Sequence, residues 1–518
     1  MQPVTPRNQS QIISTVNAHR ALAAATLFLV VSFALLNYIA PGGRRLVKVT
    51  GIDTVNYFGI AHSVLFDHDF DLNNEYQHVP PDDRYWTPTN PATGLPGSPW
   101  GVGYSLLATP LLALGTALDW AAGRPPDGYG PFALYLYRLT SLLLTGLGLR
   151  FLFDLLLQVA RHQGAEEDRA VLTSFLATLA VFLGTNIGYY AIAPIAHAGT
   201  FLFASLFLCQ WWKVRSEDRI GGWFLLGLAG GWLSICRWQD VLYLGGPILY
   251  DILGGRPFRN PVPWLKARLA FGLAVFLCWL PQIAEWKAIY GKFLTMPQGG
   301  GFMKFPPASV FLVLFSSRNG WFLWTPLIFL GVLGLTAALR RDWKVYAPWI
   351  VVASLELLVI GALTAWHGYD SFSSRYMLAN TPLAAMGLVA LLCAGPPVLR
   401  RGAQLAAGLC TLFGFLFAVQ YGLKLIPNNE TLTPTEIFAE KLYPFRVHER
   451  KVQMLQGRAM LAQGHPAEAL RVLEQADALG DDRDVLPSLA RAYRLTGDDA
   501  KAAGAESRRT RLLESRLP

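Results

Sequence analysis

Long apolar runs alternating with short basic connectors fill residues 21–422, and beyond residue 425 they give way to a polar, Ala-rich helical periodicity. The runs are close to the ~20 residues that an α-helix needs to cross a bilayer. They are continuous and Leu-rich, without the alternation of barrel strands, and backbone amides in lipid must be bonded inside each segment. The pattern predicts an all-α polytopic membrane protein with about eleven spans. These are residues 21–40, 132–158, 170–188, 196–212, 221–236, 240–253, 268–288, 320–339, 345–365, 376–395 and 403–422.

The connectors set the orientation. Arg161 with Arg169, Lys213 with Arg215 and Arg219, Arg256 with Arg259, Lys266 and Arg268, Arg340 with Arg341 and Lys344, and Arg400 with Arg401 all fall on one side of that arrangement. Basic loops stay in the cytoplasm, which makes residues 1–20 a cytoplasmic tail and the C-terminus extracytoplasmic. Arg44, Arg45 and Lys48 break the rule on the outer side of the first span. That span lacks a small-residue cleavage site and is expected to be retained, not removed as a signal peptide. The run GVGYSLLATPLLALGTALDW, 101–120, would reverse every later connector if it crossed. It is therefore expected to be an interfacial or half-inserted helix of a long first extracytoplasmic loop, 41–131.

Beyond the membrane domain, 21–424, residues 425–518 form a separate helical domain. Gly464 aligns with Gly497, Ala467 with Ala500 and Ala469 with Ala502, a period of 33 that resembles tetratricopeptide helix pairs. Two units are fewer than a free-standing solenoid needs, so the domain is expected to pack on the membrane domain or on a protein partner. The plain alternative is an unspecialised helical cap on the external face.

Composition agrees with this class. The chain is 53% hydrophobic and 15% charged over 518 residues, which excludes an ordinary soluble fold. Its formal charge of +9 is divided among the connectors, so it reports orientation and not nucleic-acid binding. Cys209, Cys236, Cys278, Cys393 and Cys410 fall in apolar segments without metal-type spacing, which predicts neither a disulfide framework nor a zinc site. Ala/Leu/Arg/Gly-rich usage points to a bacterial inner membrane.

Against this background the segment GIDTVNYFGIAHSVLFDHDFDLNNEY, 51–76, stands out for its five acidic residues. Asp53 precedes a short amphipathic pattern, Val55, Phe58, Ile60 and Ala61, which predicts a helix along the membrane surface. A carboxylate held there is partly desolvated and more basic, as abstraction of a hydroxyl proton requires. It could equally cap the helix through the TVNY amides. Asp67, Asp69 and Asp71 could bind a divalent cation through oxygen ligands, or simply solvate a loop, since no calcium-loop spacing is complete.

The acid after the first span, the Y..IA.S.L helix, D.D.DL.NEY and the Pro/Gly-rich stretch leading to GYSLLATPLLAL together resemble bacterial membrane glycosyltransferases of the GT-C superfamily. These are multi-span relatives of the protein O-mannosyltransferases and the lipid A aminoarabinose transferases. YLYRLTSLLLTGLGLRFLF with Arg138, APIAHAGTFLFASL with His197, SRNGWFLWTPLIFLGVLGL and WHGYDSFSSRYML are similar, in order, to later segments of these proteins. The resemblance covers about residues 20–425. Two positions depart from it. Thr54 follows Asp53 where many relatives carry a second acid, which bears on metal use and on which group is the base. Ser373 or Ser374 stands where the last motif usually has Gly.

The resemblance implies transfer of a sugar from a polyprenyl-phosphate carrier to a lipid, protein or glycan acceptor on the outer face. The mechanism expected for it is one inverting displacement with Asp53 accepting the acceptor's proton. The leaving phosphate needs preorganised cations. Arg237, Arg318 and Arg375 stand at predicted outer ends of spans, where an arginine is costly unless paired or facing a cavity. Each could instead snorkel to headgroups, and Arg237 could pair with Asp240 three residues on. His197 is a donor-phosphate or acceptor contact on this resemblance, and otherwise a hydrogen-bonded interior histidine. Tyr57, Tyr104 and Asp370 are candidate sugar or acceptor contacts, and the cofactor expectation is limited to a divalent cation. A transporter or flippase of a lipid-linked sugar would show internal repeat symmetry, which this sequence lacks. A scaffold acting through the C-terminal repeats would need neither the acidic loop nor the outer arginines. An O-antigen ligase or polymerase would place its key loop later in the chain.

Overall fold

The computed structural model of the protein describes residues 15–28, 31, 51–79, 89–480 and 482–515. The described residues form helices and connecting turns, with isolated β-bridges at Thr89–Pro96 and Met303–Leu363. Helix α1 covers residues 15–28. Most of the expected first span, and Arg44, Arg45 and Lys48 after it, lie outside the described residues.

The first loop contributes α2 (Ile52–His62), α3 (Asn73–Gln77) and α4 (Gly103–Ala121). The bundle follows as α5 (Pro131–His162), α6 (Glu167–Gly184), α7 (Asn186–Tyr190), α8 (His197–Val214), α9 (Ile220–Cys236), α10 (Gly245–Leu253), α11 (Arg256–Arg259) and α12 (Pro261–Tyr290). It continues through α13 (Val310–Phe315), α14 (Trp321–Trp324), α15 (Pro326–Gly361), α16 (Thr381–Cys393) and α17 (Pro397–Gly422). The chain ends in α18 (Pro444–Ala462), α19 (Pro466–Ala478), α20 (Val485–Leu495) and α21 (Asp499–Glu514).

The fold is all-α and polytopic. Five stretches among the described residues are long and apolar enough to cross a membrane, namely α5, α12, α15, Arg375–Cys393 and α17. Other elements stand at expected span positions but are shorter, such as the 17 residues of α9. The expected pair 320–339 and 345–365 is joined in α15, which breaks at Asp342 (φ −146°, ψ 75°). There Asp342 meets His162 at 3.4 Å, Arg341 donates to Gln163 and, close by, Arg169 donates to the Leu392 carbonyl. His162 also lies edge-on to Trp212, Arg256 donates to the Arg215 carbonyl and to Asp218, and Arg268 pairs with Asp251. The connectors that carry these basic clusters therefore collect at one pole of the bundle.

Helix α4 does not run the length of the bundle. Its start abuts the last turn of α9 and is level with Ser141 of α5, to which Tyr104 is hydrogen-bonded at 2.7 Å. Its far end meets the start of α5, where Asp119 accepts from the Ala133 amide at 2.9 Å. Between Ala133 and Ser141 α5 rises about 12 Å, against the ~30 Å thickness of the apolar bilayer core. The seat on α9 requires glycine, because a Cβ at Gly103 would lie 2.7 Å from the Cys236 amide nitrogen. Gly103→Ala is expected to cost about 1–3 kcal/mol of stability through this overlap. Thermal melts of the two chains check it.

In the C-terminal unit α18 packs on α19 and α20 on α21. Gly464 and Gly497 adopt matching left-handed backbone at φ 83° and 87°, and Ala469 and Ala502 are buried. Two buried arginines fix the helices of the unit to the segment that follows α17. Arg450 pairs with Glu440 at 2.7 Å and Asp482 at 2.9 Å, and Arg483 pairs with Glu430 at 3.2 Å and Glu436 at 3.1 Å.

Lys441 is buried at this junction without a carboxylate partner among the described residues. Its ammonium lies 3.7 Å and 3.9 Å from the ring centroids of Phe413 and Phe417 and donates to the Ile437 carbonyl. Burial pushes its pKa down to about 7. Between about pH 7 and 10.5 the unfolded chain binds the extra proton, so stability rises with pH through that window and the lysine costs most below it. The two aromatic faces offset part of that cost. Lys441→Met should stabilise the chain at neutral pH by about 1–3 kcal/mol and flatten this pH dependence, as read from melts in detergent.

Candidate active site

Helix α2 is not a surface helix, because every residue from Val55 to His62 is buried. The apolar periodicity of this segment is interrupted by Asn56, which is buried by bonding to the Ile52 carbonyl at 2.7 Å and to the Tyr76 hydroxyl at 2.5 Å. Asp53 sits in the first turn and does not cap it. Its Oδ2 accepts from Arg375 Nη1 at 2.5 Å, and its Oδ1 accepts from Trp100 Nε1 at 3.2 Å.

Arg375 opens the 3-10 turn Arg375–Asn380 that leads into α16. Arg237, at the end of α9, reaches the same place. Its Nη1 donates to the Arg375 carbonyl at 2.6 Å, and its guanidinium lies 4.9 Å from the Tyr376 ring. No ion pair joins Arg237 to Asp240 among the described residues. Asp240 is buried near Arg237 and Glu356 of α15, whose Oε2 accepts from Asn380 at 2.8 Å. Glu356 escaped the sequence reading, although an acid inside the apolar helix WIVVASLELLVIG is itself a signal, since lipid-depth charges are kept only for a reason.

His197 is the first residue of α8 and is buried, its ring edge-on to Tyr190 at 4.3 Å. Neither ring nitrogen has a hydrogen-bond partner among the described residues, and Arg237 and Arg375 are its charged neighbours. Tyr190 is held by the Ser371 hydroxyl at 2.9 Å and by the Phe372 amide at 3.1 Å. The structure thus brings Asp53, Arg375, Arg237 and His197 together at one end of the bundle, contributed by four separate segments.

The remaining candidates stand around this centre. Tyr57 lies edge-on to Tyr104 at 5.6 Å, and burial together with the Asp53 charge pushes its phenol well above the ordinary range, leaving it a neutral donor. Tyr104 is engaged with Ser141, which in turn donates to the Ala193 carbonyl. Asp370 is exposed on the loop between α15 and Arg375. Arg318 donates to Asn429 at 2.6 Å, and the neighbouring Asn319 donates to the carbonyls of His367 and Tyr369. Burial and the Arg318 and Arg375 charges lower the His367 pKa to about 4. Its Nδ1 accepts from the Tyr369 amide at 3.0 Å, so the proton of this neutral ring is on Nε2.

Asp67, Asp69 and Asp71 are tied into local turns. Asp69 accepts from the Ser63 hydroxyl and the Asp71 amide, Asp71 from the Asn73 amide, and Asp67 from the Asn74 side chain. Asp69 and Asp71 thereby have the ordinary use of turn-forming aspartates.

The centre combines two guanidinium groups with one carboxylate and a buried imidazole. Its net positive charge suits a phosphate, and its carboxylate is positioned where a proton could be taken. No protein-family model matches the chain, and no curated protein does. Among solved structures it is similar to the crystal structure of ArnT from Cupriavidus metallidurans in the apo state, at 16% identity and a TM-score of 0.46, over 93% of this chain and 76% of that one. It is similar also to ArnT from the same organism bound to undecaprenyl phosphate, at 15% identity and a TM-score of 0.44, over 93% of this chain and 80% of that one. Both are distant likenesses and assign no residue of this chain a role.

Proposed function

We propose that this chain is a membrane glycosyltransferase that moves a sugar from a polyprenyl-phosphate donor to a hydroxyl-bearing acceptor at the extracytoplasmic face of a bacterial inner membrane. The observation that carries the reading is the Asp53–Arg375 pair, with Arg237 on the Arg375 carbonyl. A carboxylate and a cluster of cations are the two things a phosphate-leaving displacement requires.

The pairing also suggests an order of events. The donor phosphate competes with Asp53 for the Arg375 guanidinium, helped by Arg237 and by the His197 ring. As Asp53 loses its partner, its carboxylate becomes a better proton acceptor. The acceptor oxygen then bonds to the anomeric carbon from the face opposite the phosphate while the bond from that carbon to the phosphate oxygen breaks. The hydroxyl proton passes to Asp53, and the phosphate keeps the electron pair. Tyr57 supplies a neutral hydroxyl beside the site. Arg318 and neutral His367 line the approach on the other side.

Purified chain in proteoliposomes, offered a panel of radiolabelled polyprenyl-phosphate sugars with membrane extract as acceptor, tests the reading. Transfer with inversion at the anomeric carbon is expected. Retention would sink the single displacement, and absence of both turnover and donor binding across the panel would sink the enzyme.

A further inference from the structure

Helix α2 ends in a second polar cluster that the transfer chemistry leaves unused. His62, Asp67 and Glu75 each offer one ligand atom, and these atoms lie within 4.8 Å of one another. His62 Nδ1 is 3.0 Å from Glu75 Oε1, and its Nε2 donates to the Asp127 carbonyl at 2.8 Å. A carbonyl oxygen only accepts, so Nε2 carries a proton and Nδ1 is turned toward the carboxylates. One nitrogen fixed by a carbonyl and the other presented is how a metal-bound histidine is usually oriented.

The surroundings are built around this ring. Gly128, next to Asp127, has φ 76°, and a Cβ there would lie 2.9 Å from His62 Cδ2, so the loop closes on the imidazole only with glycine. Tyr129 lies 4.7 Å from the His62 ring on the same side. Glu75 is 2% exposed, yet its Oε2 has no hydrogen-bond partner among the described residues, and the carboxylate beside it is that of Asp67. A plain His62–Glu75 ion pair leaves that buried oxygen unsatisfied and a second negative charge uncompensated. A divalent cation answers both. Asp67 is exposed, which gives the cluster an open side toward solvent.

We propose that His62 Nδ1, Asp67 and Glu75 hold a divalent transition-metal ion, Zn²⁺ or Mn²⁺, as a clamp between the end of α2 and α3. One imidazole with carboxylate oxygens suits these ions, and solvent on the Asp67 side completes the shell. The acid trio suggested by the sequence is thereby reduced to Asp67, joined by a histidine and a glutamate. His62 lies nine residues along α2 from Asp53, about 13 Å of rise, too far for the ion to touch the reaction. Its effect is to fix the helix that presents Asp53.

The full chain in detergent, stripped with chelator, is titrated by calorimetry with Zn²⁺ and separately with Mn²⁺, beside Asp67→Asn and His62→Gln. One ion per native chain is expected, bound at least about tenfold more weakly in each variant, with a higher melting temperature on loading the native chain. Asp67→Asn changes an exposed side chain and keeps the test interpretable should His62→Gln fold poorly. Zn-edge absorption of the loaded native chain should show a nitrogen ligand among oxygens. Absence of binding by the native chain, equal binding by native chain and variants, or an all-oxygen shell would each overturn the site and leave His62 and Glu75 as an ion pair. These readouts need no sugar transfer, so they stand or fall apart from the enzymatic reading.

Discussion

Asp53→Asn should lower sugar transfer by about 10²–10⁴-fold, the range expected for loss of a general base, while binding of the donor phosphate is kept or strengthened. The amide is isosteric and its oxygen can still accept from Trp100 or Arg375, so the fold has little reason to change. It cannot take up the hydroxyl proton, and it no longer neutralises Arg375. The opposite directions of the two effects separate a lost base from a damaged site. Single-turnover transfer and equilibrium binding of polyprenyl phosphate read them independently. Transfer within about threefold of native, or donor binding lost along with turnover, would remove Asp53 from the role of base.

Arg375→Ala is expected to cost about 10²–10³-fold in kcat/KM, comparable to removing one preorganised donor aimed at developing charge. It takes away the contact that trades Asp53 for phosphate and loosens the carbonyl on which Arg237 rests. Asp53 is about a quarter exposed in the pair, so water can take over part of the lost contact and the cost in melting temperature should be moderate. Arg375→Lys keeps the charge but not the planar fork and should recover only part of the loss. The double variant Asp53→Asn/Arg375→Ala should be less impaired than the product of the single losses, because both remove the same exchange step. Additive losses would mean that the two residues act separately, and the exchange would have to be abandoned.

The helical frame was legible in the sequence because lipid imposes a local rule that a hydropathy run reveals. The runs 132–158, 196–212 and 221–236 lie within a few residues of α5, α8 and α9. Where they differ, as in the seven residues by which α12 begins before 268–288, the helix continues back through polar Lys266 to Pro261, ahead of the apolar window. Individual site residues were legible as types in unusual places, such as an arginine ending a span. Their partnerships were not. Asp53 and Arg375 are 322 positions apart, and Asp240 is buried beside Glu356 of another helix as well as near Arg237, three residues away. Spacing in one helix gives neighbours on that helix only, whereas these pairs are decided by how four segments meet. Burial of α2 was hidden for a related reason, since Asn56 breaks the apolar pattern and is satisfied by a tyrosine twenty residues on.

The stretch of chain that leaves α17 ties the Arg318 loop to the helical tail. Asn429 is held by Arg318, the Leu432 amide is held by Ser317 at 3.2 Å, and between them Glu430 and the Thr431 carbonyl are gripped by Arg483 from the foot of α20. Four consecutive residues are thus anchored on one side to the loop that carries a candidate phosphate ligand and on the other to the helical tail. Cutting the chain ahead of Arg483 frees one side of this strap. A truncated protein that loses activity would then report slack in the Arg318 loop as readily as the loss of a docking partner, and a substitution on the outward face of α21 is the cleaner way to question the tail.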